Sequence, residues 1–326
     1  MRKVLSTIPA LAVLTAAIGC GDGAKPGNNT PSYTFLATAP QTGGAQTKPD
    51  APPPTGGVTP PATGGATKPP PAGGAKTPVE AKGTAILKGT VTVDGSPMPD
   101  DISAQVNGQG DKAVCLKDDP ANPDPAKGRN WVVKDGKVAN VVVFVRPPAG
   151  KYFAFSADDV KSWEGKEVKV DQPFCHFEPH VAVAFPQYFD GKKMQPTKQV
   201  TKVFNSAPIS HNTKWGGDER KNPGGNPTLP PGDSKVLDIQ ADVTKPIRLN
   251  CNIHQWMEGY IWPLDTPYAA VTKPDGTYEI KGVPAGAEVV VVTWHEKSGW
   301  GEGGPQGKKI TLKEGENVHD FKVTAK

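Results

Sequence analysis

The stretch Ile247-Arg248-Leu249-Asn250-Cys251-Asn252-Ile253-His254-Gln255-Trp256-Met257-Glu258-Gly259-Tyr260-Ile261 sets two strand-like runs on either side of a seven-residue loop. Ile247 and Leu249 alternate with polar neighbours, the period of a strand with one face in a core. The loop gathers a thiol, an imidazole and a thioether at Cys251, His254 and Met257. Two residues separate each from the next, so Cys251 and His254 converge within one turn and the Met257 sulfur approaches from the side. A soft thiolate, two histidines and a weak axial methionine are the donors of a copper ion that exchanges single electrons. The expectation is an all-β body with this loop at its rim.

Strand-like runs recur on both sides: Thr84–Asp94, Val138–Arg146, Val181–Phe185, Gln199–Phe204, Ala287–Trp294, Lys309–Leu312 and His319–Val323. They are valine-rich and punctuated by glycine, proline and asparagine, and no long segment carries a 3.6-residue apolar period. A β-sandwich architecture follows. In Tyr268–Ile280 the pair Asp275-Gly276 marks a tight hairpin turn.

The second histidine is sought upstream. His211, in Ser210-His211-Asn212, lies forty residues before Cys251 and follows a strand-like run. Asn212 beside it has an amide to pin the two loops together, and Asn205 to brace the same region. Turn-forming asparagine is the competing reading for both. Zinc is the rival metal, because thiolate and imidazole suit it too, but Met257 argues against it. The outward Nε2 edge of His254 is the natural exit for an electron, since a histidine on such a loop faces solvent.

Cys20, Cys115, Cys175 and Cys251 are the four cysteines. With Cys251 reserved for metal and Cys20 for lipid, Cys115 pairs with Cys175 by elimination; Cys115 with Cys251 is the alternative, and it would destroy the metal site. His176 and His180 are assigned to packing and hydrogen bonding, and His295 to an imidazole oriented by a carboxylate. No nucleophile, base and partner are grouped as an acid–base enzyme needs, so a non-enzymatic protein is expected.

The motif Cys251-x-x-His254-x-Trp256-Met257-x-Gly259, with His211-Asn212 upstream, resembles the ligand loop of cupredoxins of the amicyanin and plastocyanin type. The chain is also similar to bacterial cupredoxin-like proteins with segments like Pro179-His180-Val181 and Trp294-His295-Glu296. The resemblance implies a Greek-key β-sandwich and one type 1 copper held by His211, Cys251, His254 and Met257. It further implies electron transfer between a redox donor and acceptor. Gly89–Pro97 and Tyr268–Gly286 resemble the carboxypeptidase-regulatory-like, or transthyretin-like, sandwich. Its two pieces lie about 170 residues apart, so one sandwich is inserted into or fused with the other. Two alternatives accompany electron transfer: a copper-carrying or sensing protein, and a structural or accessory β-sandwich binding module with a degenerate metal site.

The N-terminus sets the compartment. Arg2 and Lys3 precede a mostly apolar run to Ile18, a targeting segment too short to span a membrane. Ala17-Ile18-Gly19-Cys20 resembles a bacterial lipoprotein signal, in which Cys20 becomes the lipidated N-terminus; an ordinary secretory signal is the alternative. Residues 21–82 alternate Thr-Gly-Gly or Ala-Gly-Gly with prolines and carry too little apolar surface to order themselves, so they read as a tether. The expected division is 1–20 signal, 21–82 tether, 83–108 first strands, 109–265 cupredoxin-like domain and 266–326 regulatory-like portion. The expected location is the cell envelope, lipid-anchored and facing the periplasm or exterior. The formal charge of +4 falls to +2 without Arg2 and Lys3, too weak and too dispersed to suggest nucleic acid as a partner.

Overall fold

The computed structural model describes residues 75–325 except 118 and 121. The signal segment, Cys20 and most of the tether therefore lie outside the described residues. The described chain is a mostly β-strand domain with several sheets; its helices, Ser103–Asn107, Lys112–Cys115 and Ala157–Lys161, span one turn or little more.

The strand Thr84–Asp94 organises the first sheet. It pairs antiparallel with Thr277–Pro284 and parallel with Gly315–Val318 and Phe321–Thr324, so strands from the two ends of the described chain share one sheet. Ala85, Leu87 and Val91 are buried on its inner face. Gly89 is required there by close approach: a Cβ would lie 1.9 Å from the His319 carbonyl oxygen.

The next sheet places Val142–Arg146 between Ala269–Val271 and Glu288–His295. Both long runs are buried on two faces, which explains why valine is continuous and not alternating in them. Val143, Val145, Val289 and Val291 pack with Leu87, Tyr278 and Phe321 on one side. Val142, Phe144, Val290, Val292 and Trp294 pack with Val181, Trp262 and Leu264 on the other.

That second core leads to a four-stranded sheet ordered Lys214–Gly216, Ile247–Asn250, Glu258–Pro263, Val181–Ala184. A three-stranded sheet of Ser234–Leu237, Val200–Phe204 and Glu167–Asp171 shares a further core with it, through Val170, Val203, Leu237, Leu249 and Ile261.

Two expectations need correction. These sheets mix parallel and antiparallel pairs and do not close, among the described residues, into one Greek-key sandwich. Asp275-Gly276 does make a tight turn, with Gly276 at φ 74° and the Lys273 amide donating to Thr277 O at 2.9 Å. The strands on its two sides, however, join different sheets: Ala269–Val271 pairs with Val142–Arg146, and Thr277–Pro284 with Thr84–Asp94. The turn carries the chain from one sheet to the other.

Candidate metal centre

The loop from Cys251 to Met257 leaves Ile247–Asn250 and returns through Glu258–Pro263, two strands that pair antiparallel. It is closed internally by the Met257 amide donating to His254 O at 2.9 Å. The His254 amide points at the Cys251 sulfur at 3.4 Å. His211 arrives on the short strand His211–Asn212, which is held against Thr228–Leu229.

Cys251 Sγ lies 3.9 Å from Nδ1 of His211 and 3.9 Å from Nδ1 of His254, and the two nitrogens are 3.0 Å apart. An ion in the plane of three such donors, at about 2.0–2.1 Å from nitrogen and about 2.3 Å from thiolate sulfur, needs edges of about 3.4–3.8 Å. The two sulfur edges are within about 0.2 Å of that, and the nitrogen–nitrogen edge, at hydrogen-bonding length, would open by about half an ångström to admit the ion. All three side chains are buried, and Cys251 is the free cysteine of the described residues. Met257 is buried in the same core cluster as Cys251. Burial holds His211 down to about 4, with the neighbouring His254 acting in the same direction. Burial also lowers His254, against the opposing pull of Asp111. Both rings are therefore neutral at ordinary pH, the form that binds metal.

Asn212 joins the two loops. Its Oδ1 accepts from the amides of Asn252 at 2.7 Å and Ile253 at 3.2 Å and lies 3.3 Å from Cys251 Sγ. Asn205 braces the approach to His211 by donating to Ile209 O at 2.9 Å and Leu229 O at 2.7 Å.

The cover over His254 comes from a part of the chain remote in sequence from its loop. Asp111, at the start of helix Lys112–Cys115, places Oδ2 3.2 Å from His254 Nε2. Cys115 at the end of that helix is disulfide-bonded to Cys175. Trp256 donates from Nε1 to the Cys175 carbonyl at 3.1 Å and sets its ring 5.4 Å from that of His254. The signal available was the four-residue spacing of Asp111 and Cys115, which places both on one short turn. It acquires meaning only when the disulfide brings that turn over the loop.

Two groupings of donor atoms thus meet at His254: His211, Cys251 and His254, and Cys115, Cys175 and His254, each within 4.8 Å. In the second grouping the sulfurs are bonded to each other and neither is a thiolate. His254 therefore sits between a free thiol and a disulfide. Its ring is wholly buried, with Asp111 against the Nε2 edge that was expected to meet a redox partner.

His176 and His180 make hydrogen-bonding contacts, as expected of them, and only His295 differs from expectation. His180, not His295, pairs with a carboxylate, that of Glu296, and both side chains are buried. His295 packs its ring 4.2 Å from that of Trp131, and its Nδ1 faces the amides of Lys297 and Ser298. His176 reaches Asp119 at 3.1 Å.

No family model matches the chain, and no curated protein matches it. The cupredoxin resemblance of the loop thus extends neither to a family match nor to the sheet arrangement. With a disulfide packed on His254 and no exposed edge on that ring, the expectations of a cupredoxin, of a type 1 copper cofactor and of electron transport are corrected. The regulatory-like family assignment likewise finds no match. No helix among the described residues is long and apolar enough to cross a membrane.

Proposed function

We propose that the protein carries or senses a metal ion, holding a closed-shell, thiophilic ion such as cuprous copper or zinc on His211, Cys251 and His254. The observation that carries this is the buried triangle of one free thiol and two neutral imidazoles, with edges of 3.9, 3.9 and 3.0 Å. A thiolate with imidazoles is a donor set for either ion, and the thioether of Met257 in the same core cluster favours cuprous copper over zinc. Enclosure under Asp111 and Trp256 suits retention, because it excludes competing water and buffer ligands. The reading is one of binding, not catalysis. Export, a lipid at Cys20 and a tether of about sixty residues would place the site at the cell envelope.

The test is loading of the mature chain with Cu(I) and, separately, Zn(II), in competition with a chromophoric chelator. One equivalent of one of the ions should be retained, and Cys251→Ser should weaken retention by at least about 100-fold. Equal retention by the variant would remove the site from consideration. An intense visible band with Cu(II), reversibly bleached by reductant, would overturn the carrying reading in favour of electron exchange.

A further inference from the structure

The disulfide Cys115–Cys175 lies against the candidate metal centre. Cys115 and Cys175 both have sulfur within 4.8 Å of a His254 ring nitrogen. They also line a cavity of about 480 Å³ shared with His176, His180, Trp256 and Glu296, and rimmed by the exposed Asp100 and Asp101. A small dithiol, or the reactive loop of a dithiol oxidoreductase, has a route to the bond through that cavity.

We propose that reduction of Cys115–Cys175 creates a second metal site, in which two thiolates and the imidazole of His254 take a thiophilic divalent ion such as zinc. The chemistry balances. A thiolate of the dithiol attacks one sulfur and releases the other as a thiolate, and the second thiol of the reductant resolves the mixed disulfide. Two electrons pass to the protein and the reductant leaves as its own disulfide. Binding of the ion then displaces the thiol protons to water. Two thiolates with one imidazole and a water complete the four-coordinate set that zinc prefers, and the cavity beside the sulfurs accommodates the water.

His254 belongs to both groupings, so the redox state of the disulfide would decide which donors compete for its ring. The oxidised protein offers His254 the thiol of Cys251 with His211, and reduction adds the two sulfurs of Cys115 and Cys175 as competitors for the same ring. Tighter retention on reduction and release on oxidation follow. Only this biological meaning rests on the metal-carrying reading; the second site is measured with the first one disabled.

The closing experiment uses the mature chain carrying Cys251→Ser, oxidised or reduced with a phosphine that is then removed. Zn(II) is titrated against a chromophoric chelator, with Co(II) as a spectroscopic substitute. The reduced variant should retain one zinc at least about 100-fold more tightly than the oxidised one. Its Co(II) form should show thiolate charge transfer, and adding Cys115→Ser and Cys175→Ser should abolish both signals. Equal binding in the two redox states would overturn the proposal, as would retention by the triple variant. Loss of the far-ultraviolet β signal on reduction in the presence of zinc would also overturn it, because the donors would then be dispersed. Failure of oxidised wild-type protein to bind either ion would count against the carrying reading and leave the second site standing.

Discussion

The sheet of Val142–Arg146 and Glu288–His295 and the loop of Cys251–Met257 lie in one compact unit but are held by different forces. The sheet is positioned by area: Phe144, Val145, Val291 and Val292 are each at most 1 % exposed, and many weak contacts share the task. The loop is positioned by single contacts: an asparagine oxygen on two amides, an aspartate on a ring nitrogen, a tryptophan on a carbonyl and one disulfide. Damage to the sheet should therefore appear as lost stability with the site intact in whatever remains folded. Damage to the loop should appear as altered metal retention with little loss of stability.

The largest expected effect is in the sheet. Phe144→Ala removes a ring packed against Trp262 at 5.4 Å between centroids in a fully buried layer and should cost about 3–5 kcal/mol. Denaturant unfolding checks this. Metal stoichiometry per folded molecule should stay unchanged, and a proportionate loss of the site would erase the distinction between the two regions.

The disulfide lies on the border. Its residues are 60 apart in sequence, and replacing both by serine should cost about 2–4 kcal/mol through the freed unfolded chain. Because that bond also holds Asp111 over His254, metal dissociation should accelerate as well. Stopped-flow chelator capture checks this, and unchanged dissociation would show that the cover stays in place without the bond.

A pH titration separates the regions next. Burial holds His295 down to about 4, against the opposing pull of Glu296, so the folded state keeps this ring neutral where the unfolded chain already protonates it. The unfolded state binds more protons as pH falls from about 6.5, so stability declines through that window and levels off below about 4. The melting temperature of metal-free protein should follow this course, and His295→Gln should make it shallower without abolishing it, because burial holds His211 and His176 down to about 4 as well. An undiminished slope in that variant would move the effect to the other buried histidines.

The same division governs what was legible in the sequence. Thr84–Asp94 and the valine runs declared themselves because burial on one face leaves an alternating trace along the chain and burial on two leaves a continuous apolar one. Asp275-Gly276 declared a turn but not its destination, since a local reversal carries no information about which sheet receives the next strand. At the centre the donor atoms were legible from their types and spacing. The burial of His254 was not, because it comes from Asp111, 143 residues away, delivered by a disulfide whose effect on the loop exists only in three dimensions.

Asn212→Ala should then weaken metal retention by about tenfold or more, by releasing the amides of Asn252 and Ile253 and letting the loop of Cys251 drift from His211. Asn212→Asp keeps an acceptor oxygen in place and should recover part of the loss. Chelator competition distinguishes them, and equal losses would mean that the amide donation of Asn212 matters more than its oxygen.

The smallest effect is expected at Asp111, and it tests the loop region most finely. An imidazole presents a lone pair on Nδ1 only when its proton sits on Nε2, and a carboxylate oxygen 3.2 Å from Nε2 favours that tautomer. Nδ1 of His254 is the atom facing Cys251 and His211, so Asp111 would set the ring ready for metal without touching the ion. Asp111→Ala should lower affinity by up to about tenfold. Asp111→Asn, whose amide oxygen can still accept from Nε2, should lose less. Nitrogen-resolved NMR of the His254 ring adds a readout that mere loosening of the helix would not move: the metal-free wild type should carry its proton on Nε2 and Asp111→Ala should show a mixture. Unmixed Nε2 protonation in Asp111→Ala would assign the tautomer to the ring's own surroundings and leave Asp111 as a cover alone.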